Sequence, residues 1–329
     1  MHAIIEVNQL SKHFRVNVHH RGALGALRNL FSRQVRLVRA VDQISFQLQA
    51  GELVGYIGPN GAGKSTTIKM LTGLLVPTSG EVRVNGFVPW KERQTYVRRI
   101  GAVFGQRTTL WWDLPVIESL ELLRHIYQVP EQRFRHNLVE FRQMLELDPF
   151  LDTPVRSLSL GQRMRADLCA ALLHDPEILF LDEPTIGLDV VAKERIRQFI
   201  QFINRERGTT VLLTTHDLTE VEKLCERVMI IDLGRVLYNG SLPQLQERFG
   251  GDRELVVDFA EEYPDPQVTG ATISAWDGQR VTYRFGRADL TASELIGRIS
   301  ARYRIRDLAV REPEIETTIR RIYEERLLD

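Results

Sequence analysis

The chain has 329 residues, and its 43 basic and 43 acidic side chains give a formal net charge of +0, so no large cationic footprint for nucleic acid is expected. Its composition is 43% hydrophobic and 26% charged, as in soluble globular proteins, and no apolar run approaches the roughly 20 residues of a membrane span. The length suits one large domain and a smaller one, and the N-terminus lacks a signal-peptide layout, which predicts a cytoplasmic protein. Cys169 and Cys225 are expected to be buried, reduced thiols.

A locally basic segment comes first along the chain. No Asp or Glu occurs between Val7 and Val41, whereas the basic residues there are Lys12, Arg15, Arg21, Arg28, Arg33, Arg36 and Arg39. Residues 21–41 favour a basic amphipathic helix, with an apolar face made of Leu24, Leu27, Leu30, Phe31, Val35 and Val38. Two interpretations stay open: the helix contacts an anionic membrane surface or a membrane partner, or its apolar face packs on its own domain.

A glycine-rich loop follows the predicted strand LVGYI and precedes a helical pattern. Gly58-x-x-x-x-Gly63-Lys64-Ser65 is a P-loop, in which glycines let successive backbone N–H groups curl around a phosphate. The helix adds its positive N-terminal end, Lys64 reaches the β- and γ-phosphates, and Ser65 offers a hydroxyl to Mg²⁺. The predicted nucleotide-binding residues are Gly58, Pro59, Asn60, Gly61, Ala62, Gly63, Lys64, Ser65 and Thr66.

The next apolar strand, IGAVF, leads to Gln106 and then to two adjacent tryptophans. A neutral amide at this strand end could contact Mg²⁺ or the attacking water, and so report whether a γ-phosphate is present. Trp111 and Trp112 are neighbours, so they cannot both face one core along a helix or a strand. Exposed aromatic side chains mark interaction sites. The alternative is that both tryptophans pack within a helical segment at about 107–157.

A short polar turn, SLSLGQ, opens another helical pattern far from the P-loop in sequence. One interpretation is that Ser159, Gly161 and Gln162 cap the helix and have no other role. The Ser159 hydroxyl, the Gly161 N–H and the helix N-terminus could equally form a second anion site.

Polar side chains end two further apolar strands. Ile178–Leu181 ends in Asp182 and Glu183, and Val211–Leu213 is followed by Thr214, Thr215 and His216. Such strand ends face the ligand crevice of an α/β sheet. Asp182 fits the carboxylate on the Mg²⁺ side, Glu183 fits a general base for the attacking water, and His216 fits a γ-phosphate sensor.

In this order, these elements resemble the ATP-binding subunits of ABC (ATP-binding cassette) transporters over roughly residues 3–245. The motifs that carry the resemblance are the P-loop at Gly58–Ser65, the Gln106 loop, LSLGQ at Leu158–Gln162, ILFLDEP at Ile178–Pro184, GLD at Gly187–Asp189 and His216. The resemblance implies an ATPase that uses ATP and Mg²⁺. It also implies that Phe14 stacks on adenine, with a core position as the alternative.

The same resemblance explains the distant polar turn, which is the family's signature motif and serves the ATP held by a second cassette. Two cassettes dock head to tail, so a homodimer with two composite ATP sites is expected, in which Ser159, Gly161, Gln162 and Asp189 contact nucleotide. The family most often has Gly-Gly after the serine, whereas this chain has Leu160. Leucine at positive φ is costly, so the backbone of Leu160 is expected to be conventional.

The resemblance is greatest to exporters of drugs, antibiotics or polysaccharides. It implies a separate integral membrane permease, which Trp111, Trp112 and Leu114 would contact at the cytoplasmic face of the membrane. The alternative is a soluble ATPase of this type that acts on ribosomes or nucleic acid. A nucleotide-dependent scaffold without turnover is disfavoured because Glu183 and His216 are present.

The predicted fold class is α/β: a P-loop cassette over residues 1–248, with a mixed sheet, a basic insertion at about 16–38 and a helical subdomain at about 107–157. A small α+β domain at 249–329 is expected to serve dimerisation or docking. Its predicted elements are a strand ELVVDF, a hairpin turning at Asp277-Gly278, a helix capped by Thr291 with Glu294, a strand IRDLAV and a final helix.

Overall fold

The computed structural model describes residues 3–17, 35–105, 107–286, 289–313 and 315–325. It divides into two compact units, Met1–Gly240 and Ser241–Asp329. The sequence predicts a boundary after residue 248. The observed division after Gly240 instead assigns the helix Leu242–Phe249 to the second unit.

The main sheet of the first unit has six strands in the order β5-β6-β7-β3-β8-β9. These strands are β3 (Leu53–Ile57), β5 (Ile100–Phe104), β6 (Ile178–Asp182), β7 (Thr210–Thr215), β8 (Arg227–Asp232) and β9 (Arg235–Ser241). The five strands from β5 to β8 run parallel. Their apolar runs are buried on both faces, as expected of parallel strands. The parallel direction brings the polar ends of β3, β6 and β7 to one edge.

A second sheet of the first unit contains a long antiparallel hairpin. It has the order β2-β1-β4, with β1 at Ala3–Asn17, β2 at Val35–Gln49 and β4 at Ser79–Val84. The predicted amphipathic helix is therefore wrong for Val35, Arg36, Val38 and Arg39, which lie in β2, because β1 supplies a backbone partner that local periodicity cannot show. The rest of that prediction lies outside the described residues, at Arg21, Leu24, Leu27, Arg28, Leu30, Phe31 and Arg33.

Seven helices of the first unit are described. They are α1 (Lys64–Leu71), α2 (Arg93–Tyr96), α3 (Val116–Tyr127), α4 (Glu131–Leu145), α5 (Leu160–Leu172), α6 (Val190–Arg207) and α7 (Leu218–Leu224). Between α4 and α5 lie two short 3₁₀ turns, Asp148–Phe150 and Val155–Ser157. Cys169 and Cys225 are buried and unpaired, as predicted. Within the described ranges, no helix is both long and apolar enough to traverse a bilayer.

The second unit is a four-stranded antiparallel sheet with helices, in the order β11-β12-β10-β13. Its elements are α8 (Leu242–Phe249), β10 (Arg253–Phe259), β11 (Thr272–Asp277), β12 (Arg280–Phe285), α9 (Ala292–Ser300), β13 (Ile305–Arg311) and α10 (Ile315–Glu325). The predicted capping box of Thr291 and Glu294 is confirmed. The hairpin turn is displaced by one residue from the prediction, because Asp277 pairs with Arg280 and leaves Gly278 and Gln279 in the turn.

Candidate functional site

The P-loop joins β3 to α1 and approaches its neighbours closely. A Cβ atom at Gly58 would lie 2.3 Å from the Ile231 carbonyl oxygen, and one at Gly63 would lie 2.4 Å from that of Ala40. Gly61 and Gly63 have φ values of +83° and +109°, which L side chains rarely adopt. Nothing lies within 4 Å of a Cβ built at Gly61, so the curled loop opens at this point.

The Lys64 ammonium group lies inside the loop. Its Nζ donates to the carbonyl oxygens of Gly58 at 2.7 Å and Pro59 at 3.2 Å, and lies 3.7 Å from Glu183 Oε1. The side chain is buried, so its charge acts where water screens it little. This arrangement suits a phosphate enclosed by the loop.

Oxygen atoms from three elements meet beside Lys64. Ser65 Oγ donates to Asp182 Oδ1 at 3.1 Å, and Thr214 Oγ1 donates to the same oxygen at 2.6 Å. A hydroxyl and a carboxylate fit Mg²⁺, which usually binds one or two protein oxygens together with substrate phosphates and water. The described part of the chain has no group of three or more His, Cys, Asp or Glu side chains able to hold a metal.

Thr214 is a site residue that the sequence interpretation missed. It lies opposite Asp182 in the register of β6 with β7, and its backbone oxygen and hydroxyl both accept from the Glu183 N–H, at 3.0 and 3.2 Å. The only signal in the sequence is its position two residues before His216, at the end of a buried strand.

Glu183 and His216 are brought together at the ends of β6 and β7. His216 Nδ1 lies 3.0 Å from Glu183 Oε2, so the two side chains can share a hydrogen bond in which the imidazole N–H donates. Glu183 has a left-handed backbone, with φ of +54°. The carboxylate therefore lies between the Lys64 ammonium and the His216 imidazole.

Ser65, Asp182, Glu183 and His216 line one cavity of about 680 Å³, together with Asn60, Gly105 and Arg107 among others. Gln106 lies outside the described residues, although both of its neighbours line the cavity. Phe14 is not a core residue: it is exposed on β1, with Lys12 Nζ 5.4 Å from its ring centroid. Its predicted adenine contact stays a prediction.

The signature turn (Leu158–Gln162) begins α5 with reciprocal capping bonds. Ser159 Oγ accepts from the Gln162 N–H at 3.2 Å, and Gln162 Oε1 accepts from the Ser159 N–H at 2.9 Å. Leu160 has no positive φ, in agreement with the prediction. None of the described residues that line the 680 Å³ cavity belongs to the signature turn.

Asp189 lies beside the signature turn rather than in the cavity lining. Its Oδ1 accepts from the Ala192 N–H at 2.8 Å, so it caps α6. A Cβ at Gly187 would lie 3.1 Å from Leu160 Cδ2, and one at Gly161 would lie 3.7 Å from Leu188 Cδ2. The GLD turn and the signature turn therefore form one continuous surface.

A buried carboxylate fixes the segment that follows Gln106. Asp167 Oδ1, on α5, accepts from Thr108 Oγ1 at 2.8 Å, from the Thr109 N–H at 2.9 Å and from Thr109 Oγ1 at 3.2 Å. Four residues earlier on the same helix, the Arg163 guanidinium lies 5.7 Å from the ring of Trp112. The segment between Gln106 and α3 is thus attached to the helix that the signature turn begins.

Replacing Asp167 by Asn should change how stability depends on pH. Burial raises the pKa of Asp167 from 3.8 to about 6, so the folded state binds its proton more tightly than the unfolded state does. The contribution of Asp167 to the free energy of unfolding therefore falls as pH rises from about 4 to about 6, and stays low above that range. Relative to Asp167→Asn, the wild type should gain on the order of 1 kcal/mol between pH 8 and pH 5.

Urea unfolding of both proteins at the two pH values measures this change, since the other titrating groups cancel in the difference. Asn keeps the Oδ1 acceptor for both threonines, which makes it the matched replacement. A stability difference between the two proteins that stays constant from pH 5 to pH 8 would contradict the assignment.

Comparison with known proteins places the chain among ABC transporters. The family model described as "ABC transporter" matches residues 41–186. The ABC transporter ATP-binding protein NatA of Bacillus subtilis is 34% identical over 66% of this chain and 88% of its own length. The daunorubicin resistance ATP-binding protein DrrA3 of Streptomyces coeruleorubidus is 36% identical over 67% of this chain and 69% of its own.

Solved structures agree. The ATP-binding subunit of an ABC transporter has a TM-score of 0.63 and 27% identity, covering 75% of this chain and 93% of that one. A dimeric post-hydrolysis state of the ATP-binding cassette MJ0796, bound to ADP and Pi, has a TM-score of 0.61 and 27% identity, covering 72% and 98%. The predicted family, fold class and ATPase activity are confirmed.

Proposed function

The chain belongs to the ATP-binding proteins of ABC transporters, and on this premise we propose that a pair of identical copies drives a separate membrane permease in the direction of export. The observation that carries the proposal is the cavity lined by Ser65, Asp182, Glu183 and His216, with the Lys64 ammonium 3.7 Å from Glu183 Oε1. The export direction is supported by relatives named for linearmycin and daunorubicin resistance.

In the proposed mechanism the P-loop amides and Lys64 bind the β- and γ-phosphates of ATP. Ser65 and Asp182 would hold Mg²⁺, which supplies positive charge that offsets the charge of the phosphates. Glu183 accepts a proton from the attacking water, because its carboxylate is the base nearest to the Lys64 ammonium. His216 donates to Glu183 Oε2, which orients the other oxygen and links the base to the γ-phosphate.

A second copy would complete each site. The signature turn and the GLD turn form one surface away from the chain's own cavity, and Ser159 is exposed there. The hydroxyl of Ser159, the amide of Gly161 and the N-terminus of α5 suit a γ-phosphate bound by the other copy. The dimeric cassettes among the similar structures support this arrangement.

The permease would dock on the tryptophans that follow the Gln106 loop, at the cytoplasmic face of the membrane. Trp111 and Trp112 are both exposed, and Trp112 is 50% exposed although Arg163 lies against its ring. Exposed tryptophans carry a large share of the binding energy at protein interfaces. Because this segment is attached to α5 through Asp167, its position would follow that of the signature turn.

Replacing both Trp111 and Trp112 by Ala should reduce recovery of the permease by about tenfold or more, since buried tryptophan anchors dominate such interfaces. The measurement is what co-purifies with the tagged chain from gently solubilised native membranes. The matched control is Trp276→Ala, because Trp276 is similarly exposed, at 48%, but lies in the second unit.

The wild type and the control should both recover a stoichiometric multi-span membrane protein. Equal recovery with the double variant would contradict the docking site. Ribosomes or nucleic acid in the soluble fraction, with no membrane partner, would instead favour the soluble alternative and leave the ATP chemistry intact.

A further inference from the structure

Strand β13 is an edge of the second unit's sheet. Among the described residues it pairs with β10 alone. The Leu308 N–H donates to its own neighbour, Asp307 Oδ1, at 2.8 Å, so this amide points away from β10. Because backbone groups alternate along a strand, those of Val310 point outward as well, whereas a register shift opposite Asp258 and Phe259 interrupts the alternation before Asp307. An edge of this kind can accept another strand.

The apolar face of the sheet continues onto this edge. Leu308 lies opposite Val257, and Val310 lies opposite Leu255, so each shares a face with a fully buried residue. Leu308 is nevertheless 36% exposed and Val310 42% exposed. A strand added beside β13 would place side chains next to both and extend the buried face.

The charges along β13 select one occupant. Two copies of an edge strand pair antiparallel about a two-fold axis. The backbone N–H and C=O groups that point outward from one copy must face those that point outward from the other. This condition allows only every second register. Centring the axis on Asp307 or Arg311 places like charges opposite each other, and centring it on Leu308 or Val310 leaves the charged residues without opposite partners. Centring it on Ala309 pairs Asp307 with Arg311 and Leu308 with Val310, within the part of β13 whose register is regular.

We propose that β13 binds the β13 of a second copy of this chain, with Ala309 next to the partner subunit's Ala309. The two four-stranded sheets then form one continuous sheet. Asp307 exchanges its contact with the Leu308 amide for an ion pair with the partner subunit's Arg311, which frees that amide for the new ladder. Opposite charges directly across such a ladder are stabilising.

This contact goes beyond the proposed function because it needs no nucleotide. The ATP-dependent pairing of two cassettes uses the P-loop and the signature turn, all in the first unit. The β13 contact uses only the second unit and would hold two copies together between cycles. An experiment can therefore contradict one of the two contacts and still support the other.

Cysteine cross-linking of the full chain without nucleotide tests the register directly. The two Ala309 residues would form a non-hydrogen-bonded pair, because the backbone groups that point to the partner are those of Leu308 and Val310. Their Cα atoms should therefore be about 4.5 Å apart, within the range of a disulfide. We expect Ala309→Cys to form at least about tenfold more covalent dimer under mild oxidation than Ala275→Cys. Ala275 is exposed on β11, the opposite edge of the same sheet, and the two native cysteines are buried.

Light scattering on the nucleotide-free protein provides the second measurement. The wild type should show the mass of a dimer, and the Leu308→Lys/Val310→Lys variant the mass of a monomer with unchanged circular dichroism. A monomeric wild type, a dimer that the lysines leave intact, or equal cross-linking at positions 309 and 275 would each overturn the proposal. ATPase activity measured on the same samples reports separately on the proposed function.

Discussion

Glu183→Gln should bind ATP as the wild type does and hydrolyse it about 100-fold or more slowly, because an amide cannot accept the proton of the attacking water. The replacement keeps the size of the side chain and an oxygen that can accept from His216. Lys64 still lies within the loop, held by the carbonyl oxygens of Gly58 and Pro59. Phosphate release at saturating ATP, together with the affinity for a fluorescent ATP analogue, separates the loss of turnover from a loss of binding.

The matched control is Glu177→Gln, which makes the same change just before the other end of β6. Glu177 accepts from Arg99 at 2.8 Å and from Asn85 at 2.8 Å, and these contacts lie away from the cavity. The control should keep its turnover. Turnover that survives in Glu183→Gln would show that another group takes the proton.

A mixture of two inactive variants should regain activity if each ATP lies between two copies. Lys64→Ala removes the phosphate-binding ammonium, and Ser159→Arg places a bulky cation in the signature turn. A dimer of either variant alone has both of its sites damaged. A mixed dimer has one site in which both defects meet and one intact site. Random mixing makes half of the dimers mixed, so the mixture should reach about a quarter of the wild-type rate.

The control mixture combines Lys64→Ala with Glu183→Gln. Both changes affect the half of the site that contains the P-loop, so no mixed dimer has an intact site and the mixture should stay inactive. Activity of Ser159→Arg on its own, or no recovery in the first mixture, would mean that the signature turn does not serve a neighbouring copy. Steady-state ATPase rates at matched protein concentrations are sufficient for both mixtures.

That Lys64, Asp182, Glu183 and His216 lie close together could be predicted from the sequence because each one is near the end of a short, strongly apolar strand. Asp182 ends β6, Glu183 and His216 directly follow β6 and β7, and Lys64 begins the helix after the P-loop that follows β3; these three strands are parallel neighbours in the sheet. Any parallel arrangement brings such ends to one edge. The motif pattern therefore sufficed without knowledge of the strand order.

The remaining features depend on pairing between distant segments, which local patterns do not reveal. Val35 and Val38 fit a helical period, but the alignment of β2 with β1 makes them part of a strand. Thr214 contacts Asp182 because the register of β7 with β6 places the two residues opposite each other. Asp167 gave no sequence signal because its partners, Thr108 and Thr109, come from a segment about sixty residues away.

The left-handed backbone of Glu183 is unfavourable for folding, whereas the proposed hydrolysis needs the carboxylate of this residue. A non-glycine residue held at φ of +54° costs on the order of 1 kcal/mol or more of folding free energy, and glycine or asparagine would adopt this conformation more readily. Selection for a stable fold alone would thus move position 183 away from glutamate. With Glu183 as the proposed base, selection for hydrolysis would retain the carboxylate there, so copies freed from the need to turn over ATP should lose this residue early while keeping the P-loop that binds nucleotide.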